Sequence, residues 1–197
     1  MHFFKSVLLL CIIISSVSQV SAQDDPYGKP LLSKKEQRKL AREKKLAEKR
    51  AEEEQMLLIT KELIKSRRFV LEADYVAGRT GNRQPANSLL NFIIVDSLES
   101  TFQLGNNFGI MYNGVGGITV DGTISKYEVS ERITKRGTTI YITMILSTAI
   151  GNYDIYWWIN PSGNAEATLR GTFPGSITYS GKLKSLKNSR VYKGSSI

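Results

Sequence analysis

Residues 151–173 read GNYDIYWWINPSGNAEATLRGTF, and two segments within this stretch alternate between apolar and polar side chains. The apolar positions of the first segment are Tyr153, Ile155, Trp157 and Ile159. The alternation resumes over 165–169, after the turn-forming residues Asn, Pro, Ser and Gly at 160–163. A period of two is typical of strands with one buried face, and such a turn indicates that the strands are neighbours. The stretch therefore predicts an antiparallel hairpin.

The same alternation continues outward along the chain. Period-two segments occupy 69–76, 118–124, 140–147 and 177–183, and further strands are predicted at 89–95, 98–104 and 108–112. Turn signals such as Pro174-Gly175, rather than helices, separate these segments. The arrangement predicts an all-β domain, an antiparallel sandwich or flattened barrel of about eight to nine strands. The pattern alone does not choose between sandwich and barrel.

A charged segment precedes the β domain. Ser33 and Glu36 have the spacing of a capping box, and neither Gly nor Pro follows until Gly78. Residues 34–68 hold 13 Lys or Arg and 7 Glu, a net charge of +6, with opposite charges repeatedly four positions apart. These features predict a long charged N-terminal α-helix over 33–66. Its more apolar stretch 56–64 is expected to pack against the β domain.

The first 22 residues have the features of a secretory signal peptide. Lys5 supplies a positive start, residues 7–14 read VLLLCIII, and Val20-Ser21-Ala22 is a small-residue cleavage sequence. The apolar run is much shorter than the roughly 20 residues that a membrane span needs. We therefore expect cleavage near Ala22, a mature chain without a membrane span, and a periplasmic or otherwise exported protein.

The predicted organisation follows from these segments. It comprises a signal peptide 1–22, a leader 23–32, the charged helix 33–66, the antiparallel β domain 67–186 and a basic tail 187–197. Residues 69–197 hold 12 Lys or Arg against 9 Asp or Glu, and five of these 12 cations lie between Lys182 and Lys193. The chain's net positive charge therefore belongs mainly to the helix and the C-terminal end.

The mature chain lacks two residue types that much chemistry requires. His2 is the only histidine and Cys11 the only cysteine, and both lie within the predicted signal peptide. A Ser-His-Asp triad, a Cys-His pair and an ordinary zinc site are therefore excluded, and neither a cofactor nor a metal is predicted. Nucleic acid is not an expected partner, because Glu is interleaved along the basic helix and the protein is expected to be exported.

Several stretches resemble, in the same order, the bacterial family called domain of unknown function 4251. They are ELIKSRRFVLEAD (62–74), NFIIVD (91–96), FQLG (102–105), GGITVDGTISKY (116–127), YDIYWWI (153–159) and SITYSGKL (176–183). The resemblance covers Lys61 to Leu186 and implies an exported envelope protein of a Gram-negative bacterium. It implies no activity and no catalytic residues.

The strongest candidate binding residues lie on the polar side of the 153–159 strand. Tyr156 and Trp158 share this side with Asp154 and Asn160, a composition suited to stacking on a sugar or contacting a partner. The alternative is that the helix or a second sheet covers both rings. The ligand or partner would be a glycan, a lipid or an envelope protein.

Three functions remain open from the sequence. The favoured one is a non-enzymatic envelope protein whose β domain binds a ligand or partner and whose helix is a spacer or docking arm. The second is a carboxylate-dependent hydrolase of envelope glycans, for which Glu72 and Asp74 are a candidate pair. Both carboxylates are expected in solvent, opposite a core stripe that includes Phe69, Leu71 and Tyr75. The third is a structural module that assembles through the charged helix.

Overall fold

A computed structural model describes residues 33–106, 114–135, 137–172 and 175–197. One α-helix, α1 (Lys34–Ser66), precedes nine strands and a short 3₁₀ turn at Leu186–Asn188. The strands are β1 (Arg68–Ala77), β2 (Arg83–Pro85), β3 (Phe92–Asp96), β4 (Glu99–Leu104), β5 (Ile118–Thr134), β6 (Gly137–Thr148), β7 (Gly151–Ile159), β8 (Asn164–Arg170) and β9 (Ser176–Ser185). The predicted strand 108–112 and the Pro174 position of the predicted turn lie outside the described residues, as do residues 1–32.

The sheet closes on itself. Strands β3 to β9 pair with their sequence neighbours, and β1 pairs with β3 on one side and with β9 on the other. The short β2 continues past β3 along the same side of β1. All pairings are antiparallel, so the fold is a closed eight-stranded barrel with one extra strand. Of the two predicted architectures, the barrel is confirmed.

Each of the eight barrel strands contributes side chains from one face to the buried interior, which accounts for the alternation, whereas β2 is exposed throughout. The interior includes edge-to-face aromatic pairs, Phe69 with Trp157 at 5.5 Å and Phe102 with Tyr153 at 4.9 Å between ring centroids. Burial raises the pKa of the Tyr153 phenol, which keeps it neutral in this surrounding. The hairpin predicted from 151–173 is present as β7 and β8, with Trp157 opposite Ala167.

The chain divides into two units, residues 1–43 and 44–197. Within the first unit, the described part begins with the expected capping box. The Ser33 backbone N–H donates to Glu36 Oε2 at 2.8 Å, and the Glu36 N–H donates to Ser33 Oγ at 3.3 Å. These hydrogen bonds lower the pKa of Glu36. The cap explains why the helix begins at Lys34.

Within the second unit, the C-terminal part of α1 packs against the barrel. Thr60 and Ile64 are buried, while Leu57 and Leu63 contact the core from its edge. The Tyr127 hydroxyl donates to the Ile64 carbonyl at 3.1 Å. The apolar stretch of the helix therefore meets the β domain as expected, although Leu58 and Ile59 of that stretch remain exposed.

The C-terminal segment 189–197 runs over the outer face of β1, β3, β4 and β5. Gln103 donates to the Tyr192 carbonyl at 2.9 Å and accepts from the Gly194 N–H at 2.8 Å. Lys193 Nζ lies 2.7 Å from the nearer carboxylate oxygen of Asp121. Because this segment covers it, Gln103 is fully buried although it lies on the outside of the barrel.

A β-bulge in β1 changes which side chains face inward. Ala73 is opposite Gly181 and Tyr75 is opposite the next residue of β9, Ser180, so Asp74 is an extra residue that no residue of β9 faces. The extra residue reverses the alternation. Tyr75 therefore lies on the outer face with 45% exposure, and its predicted place in the core stripe is wrong.

No helix within the described ranges is long and apolar enough to span a membrane.

Candidate functional site

The outer face of β7 presents the side chains that the sequence singled out. Tyr156 is 43% and Trp158 44% exposed, and Asp154 is exposed beside them. Neither α1 nor a second sheet covers these rings in the described part of the chain. The strand alternates strictly because its other face carries Tyr153, Ile155, Trp157 and Ile159, all of which are buried.

The barrel register continues from Trp158 into a row that crosses four neighbouring strands. Trp158 is opposite Glu166 on β8, Glu166 is opposite Ser180 on β9, and Ser180 is opposite Tyr75 on β1. Directly opposed residues share a face of the sheet, so the row points outward throughout. Three strand spacings separate the two aromatic residues, about 14 Å between their backbones.

A surface groove of about 250 Å³ lies along this row and is called here the aromatic groove. Its lining includes both rings and a polar floor; the residues are Asp74, Tyr75, Arg83, Trp158, Asn164, Ala165, Glu166, Ser180 and Gly181. The short side chain of Ser180, between Glu166 and Tyr75 in the row, leaves room between the aromatic walls. The bulge at Asp74 is what brings Tyr75 into the groove.

Charged groups border the aromatic groove. The Arg83 guanidinium lies 4.9 Å from the centroid of the Tyr75 ring, and Ser180 donates to the Glu166 carboxylate at 3.2 Å. Outside the groove, Arg170 lies 5.4 Å from the Tyr156 centroid. Neither arginine forms an ion pair with any described carboxylate. The site can therefore offer ring faces, hydrogen-bond acceptors and a cation at one surface.

Asn160, the fourth sequence candidate, has a local role in the turn. Its Oδ1 accepts from the backbone N–H groups of Ser162 and Asn164, each at 3.0 Å. The Asx-type geometry fixes the β7–β8 turn. The structure brings Trp158 into the groove, leaves Asp154 and Tyr156 on the same strand outside it, and gives Asn160 a turn position.

The two members of the candidate carboxylate pair, Glu72 and Asp74, have different surroundings. Glu72 is buried, and its carboxylate accepts from Lys184 Nζ at 2.6 Å and from Ser189 Oγ at 3.0 Å. Its predicted solvent exposure is wrong, because the C-terminal segment and β9 supply partners that cover it. Asp74 is exposed and lines the aromatic groove.

Sequence reasoning missed Tyr75, Arg83, Glu166 and Ser180 as groove residues. Tyr75 was hidden by the bulge, and the others become neighbours only through pairings between distant segments. The described residues contain no group of three or more His, Cys, Asp or Glu side chains placed to hold a metal.

The fold and the site together define a small antiparallel β-barrel protein with an aromatic groove on its outer wall. The chain belongs to the DUF4251 family, a domain of unknown function, whose profile matches residues 49–183. This confirms the resemblance seen in the sequence.

A solved relative supports the assignment. The chain is similar to the crystal structure of a DUF4251 family protein from Bacteroides eggerthii, with 33% sequence identity and a TM-score of 0.50. The similarity covers 64% of this chain and 85% of that one. The comparison with curated proteins finds no significant match.

Proposed function

We propose that this protein is a non-enzymatic binding module of the cell envelope and that the aromatic groove binds a saccharide. The observation that carries the proposal is the outward row from Trp158 to Tyr75, with two exposed rings at its ends and polar Glu166 and Ser180 between them. Aromatic faces take the apolar faces of sugar rings, while the polar floor takes hydroxyl groups.

The packing of the barrel favours this surface site over a lipid-binding interior. The interior positions are filled by large buried side chains, among them Phe69, Phe102 and Trp157. A lipid chain needs a continuous apolar cavity, whereas the groove is open and partly polar. Protein partners remain an outcome of the test below.

The proposal includes export and a spacer. The apolar run 7–14 and the small residues before Ala22 motivate a signal peptide cleaved near Ala22. The charged helix would then carry the barrel as a spacer or docking arm in the periplasm. Mass determination of the protein recovered from a periplasmic extract tests the cleavage, and a mass that still includes residues 1–22 would contradict it.

The binding test uses calorimetric titration of the purified protein with a panel of neutral and charged envelope oligosaccharides. Trp158→Ala and Tyr75→Ala are each expected to weaken binding about tenfold, equivalent to about 1.4 kcal/mol. Tyr192→Ala is the matched control, because Tyr192 is 65% exposed on the C-terminal segment and does not line the groove. Equal affinities in all three variants would refute the groove as the site. If no saccharide binds and an envelope protein binds instead, the ligand is a protein rather than a saccharide.

A glycan hydrolase is a second candidate, because Asp74 and Glu166 line the same groove. Two carboxyl groups suffice for glycoside hydrolysis, about 5–5.5 Å apart for retention and about 6.5–9.5 Å for inversion. Asp74→Asn and Glu166→Gln would then abolish the release of reducing sugar while binding persists. Absence of release by the unaltered protein from every saccharide that it binds would end this candidate.

A further inference from the structure

Strand β5 is paired on both sides for only part of its length. It has 17 residues, and β6 pairs with it as far as Thr134, whereas pairing with β4 stops at Thr123. The last backbone contact on the β4 side is the Ile124 N–H, which donates to the Leu98 carbonyl at 2.7 Å. Over residues 126–133, no described strand pairs with the side of β5 that faces away from β6.

The hairpin register tells which backbone groups point to this open side. Thr134 and Gly137 flank a two-residue loop, where the flanking residues form a hydrogen-bonded pair. Alternate residues therefore bond to β6. The N–H and C=O groups that point away from β6 belong to the intervening positions Tyr127, Val129, Glu131 and Ile133.

The open edge is accessible and partly apolar. Every residue from Glu128 to Ile133 is exposed, with Val129 at 46% and Ile133 at 80%. Native edge strands are commonly short, bulged or covered, because an open edge pairs readily with another strand. This edge has its bulge near Ser125, before the open stretch begins, so the exposed part is regular.

We propose that the open edge of β5 pairs antiparallel with β5 of a second copy of this chain, around a two-fold axis at Ser130. The residues whose N–H and C=O groups point away from β6 then form hydrogen-bonded pairs between the two copies, with Tyr127 opposite Ile133 and Val129 opposite Glu131. The same axis places Glu128 opposite Arg132 on the outer face, twice by symmetry.

Charge selects this register over its neighbour. Arg132 forms no ion pair with a described residue, and Glu128 lies 3.0 Å from Lys126 of its own strand. In the paired strands, Glu128 gains the facing Arg132 as a second cationic neighbour. A shift to an axis at Val129 would place Lys126 opposite Arg132, and like charges directly opposite are destabilising. The pairing is isologous, since each copy offers the same patch to the other.

An apolar groove lies where the added strand would project its inward side chains. It has a volume of about 420 Å³ between the end of α1 and β5, and its apolar lining is Ile64, Val129 and Ile140. Charged residues of the helix and Glu131 complete the lining, and Glu131 is held by Lys61 at 2.7 Å. Residues directly opposite across an antiparallel pair share a face. Ile133 of the second copy, opposite Tyr127, would therefore face the Ile64 side of this groove.

The test is sedimentation equilibrium of the purified protein over a concentration series. We expect a monomer–dimer equilibrium that Arg132→Glu weakens about tenfold, because two attractive cross-strand pairs become repulsive. Lys135→Glu makes the same charge change outside the open stretch and serves as the control. Combining Glu128→Arg with Arg132→Glu restores opposite charges and should restore the dimer. Val129→Pro should abolish the dimer, since the N–H lost there points away from β6 and the hairpin keeps its own ladder.

Amide hydrogen exchange gives an independent reading. The Val129 and Glu131 amides should become protected as concentration rises, whereas the Ser130 and Arg132 amides are protected by β6 at every concentration. A protein that is monomeric throughout the series overturns the proposal. A dimer whose dissociation constant is unchanged by both Arg132→Glu and Val129→Pro also overturns it, because the dimer would then form through another interface. Circular dichroism and thermal unfolding of each variant establish that it is folded.

Discussion

Gly181 lies so close to Glu72 that a β-carbon at position 181 would come within 1.9 Å of the Glu72 carbonyl oxygen. This contact joins β9 to β1 beside the bulge at Asp74, and the bulge turns Tyr75 into the aromatic groove. A residue with no side chain thus permits the tight approach on which the local register depends.

Gly181→Ala is expected to destabilise the protein by about 3 kcal/mol, because the backbone of β1 has to move to admit the methyl group. Urea unfolding followed by far-UV circular dichroism measures the change. Gly78→Ala is the control, since its added β-carbon would meet nothing within 4 Å. Equal stabilities of the two variants would contradict the tight approach.

Replacement of the two adjacent tryptophans by alanine should destabilise the protein to very different extents. Trp157 is 2% exposed inside the barrel, so Trp157→Ala is expected to cost about 3–5 kcal/mol. Trp158→Ala should cost less than about 1 kcal/mol, because nearly half of that side chain already contacts water. Thermal unfolding compares them, and a large cost at Trp158 would indicate a structural role for the ring.

Trp157→Phe provides a further distinction. The buried Trp157 indole N–H has no hydrogen-bond partner among the described residues. Phenylalanine removes this unsatisfied donor while keeping an aromatic ring beside Phe69, so we expect a cost below about 1.5 kcal/mol. A loss as large as that of Trp157→Ala would mean that the indole makes a contact that a smaller ring cannot replace.

The local alternation of the sequence predicted the strand faces well where the register is regular. In β7, all four apolar positions from Tyr153 to Ile159 are buried and the intervening aromatics are exposed. The prediction failed at Tyr75, because one extra residue in β1 reverses every face after it, and the cause is the close fit with β9 more than 100 residues away. The burial of Glu72 was not predicted for a similar reason, since its hydrogen-bond partners Lys184 and Ser189 are remote in sequence.

The C-terminal segment should contribute measurably to stability. Deleting residues 190–197 removes the Gln103 contacts with the Tyr192 carbonyl and the Gly194 N–H and opens the surface above β4. We expect a loss of about 2–3 kcal/mol in the free energy of unfolding. Chemical denaturation of the shortened and full proteins measures it, and an unchanged midpoint would show that the segment adds nothing.

The contact between Asp121 and that segment should depend on pH. Partial burial opposes ionisation of Asp121, but hydrogen bonds from Lys193, Ser196 and Thr101 and the Lys193 charge outweigh it and lower the pKa. A lowered folded pKa contributes stability that is fully present above the unfolded carboxyl pKa of about 3.9 and is lost as pH falls through the folded value.

The stability difference between the unaltered protein and Asp121→Asn should therefore be constant near neutral pH and shrink in acid. Urea unfolding of both proteins between pH 7 and pH 3 gives the comparison, and high salt should reduce the difference because the ion pair is partly exposed. A difference that grows on acidification would contradict the sign of the shift.

Closure of the barrel between β1 and β9 has a consequence for the order of folding. The seam joins Phe69 to Ser185, so β1 keeps one unpaired edge until β9 has been synthesised. Seven of the eight barrel strands can add to their predecessors as they appear, but the ring is complete only at the last. Long-range closure of this kind is slow, and the unpaired strand edges stay exposed to other chains until it is complete. The period of greatest risk of misassembly therefore falls just before β9 becomes available for pairing, when a chaperone that covers β1 would help most.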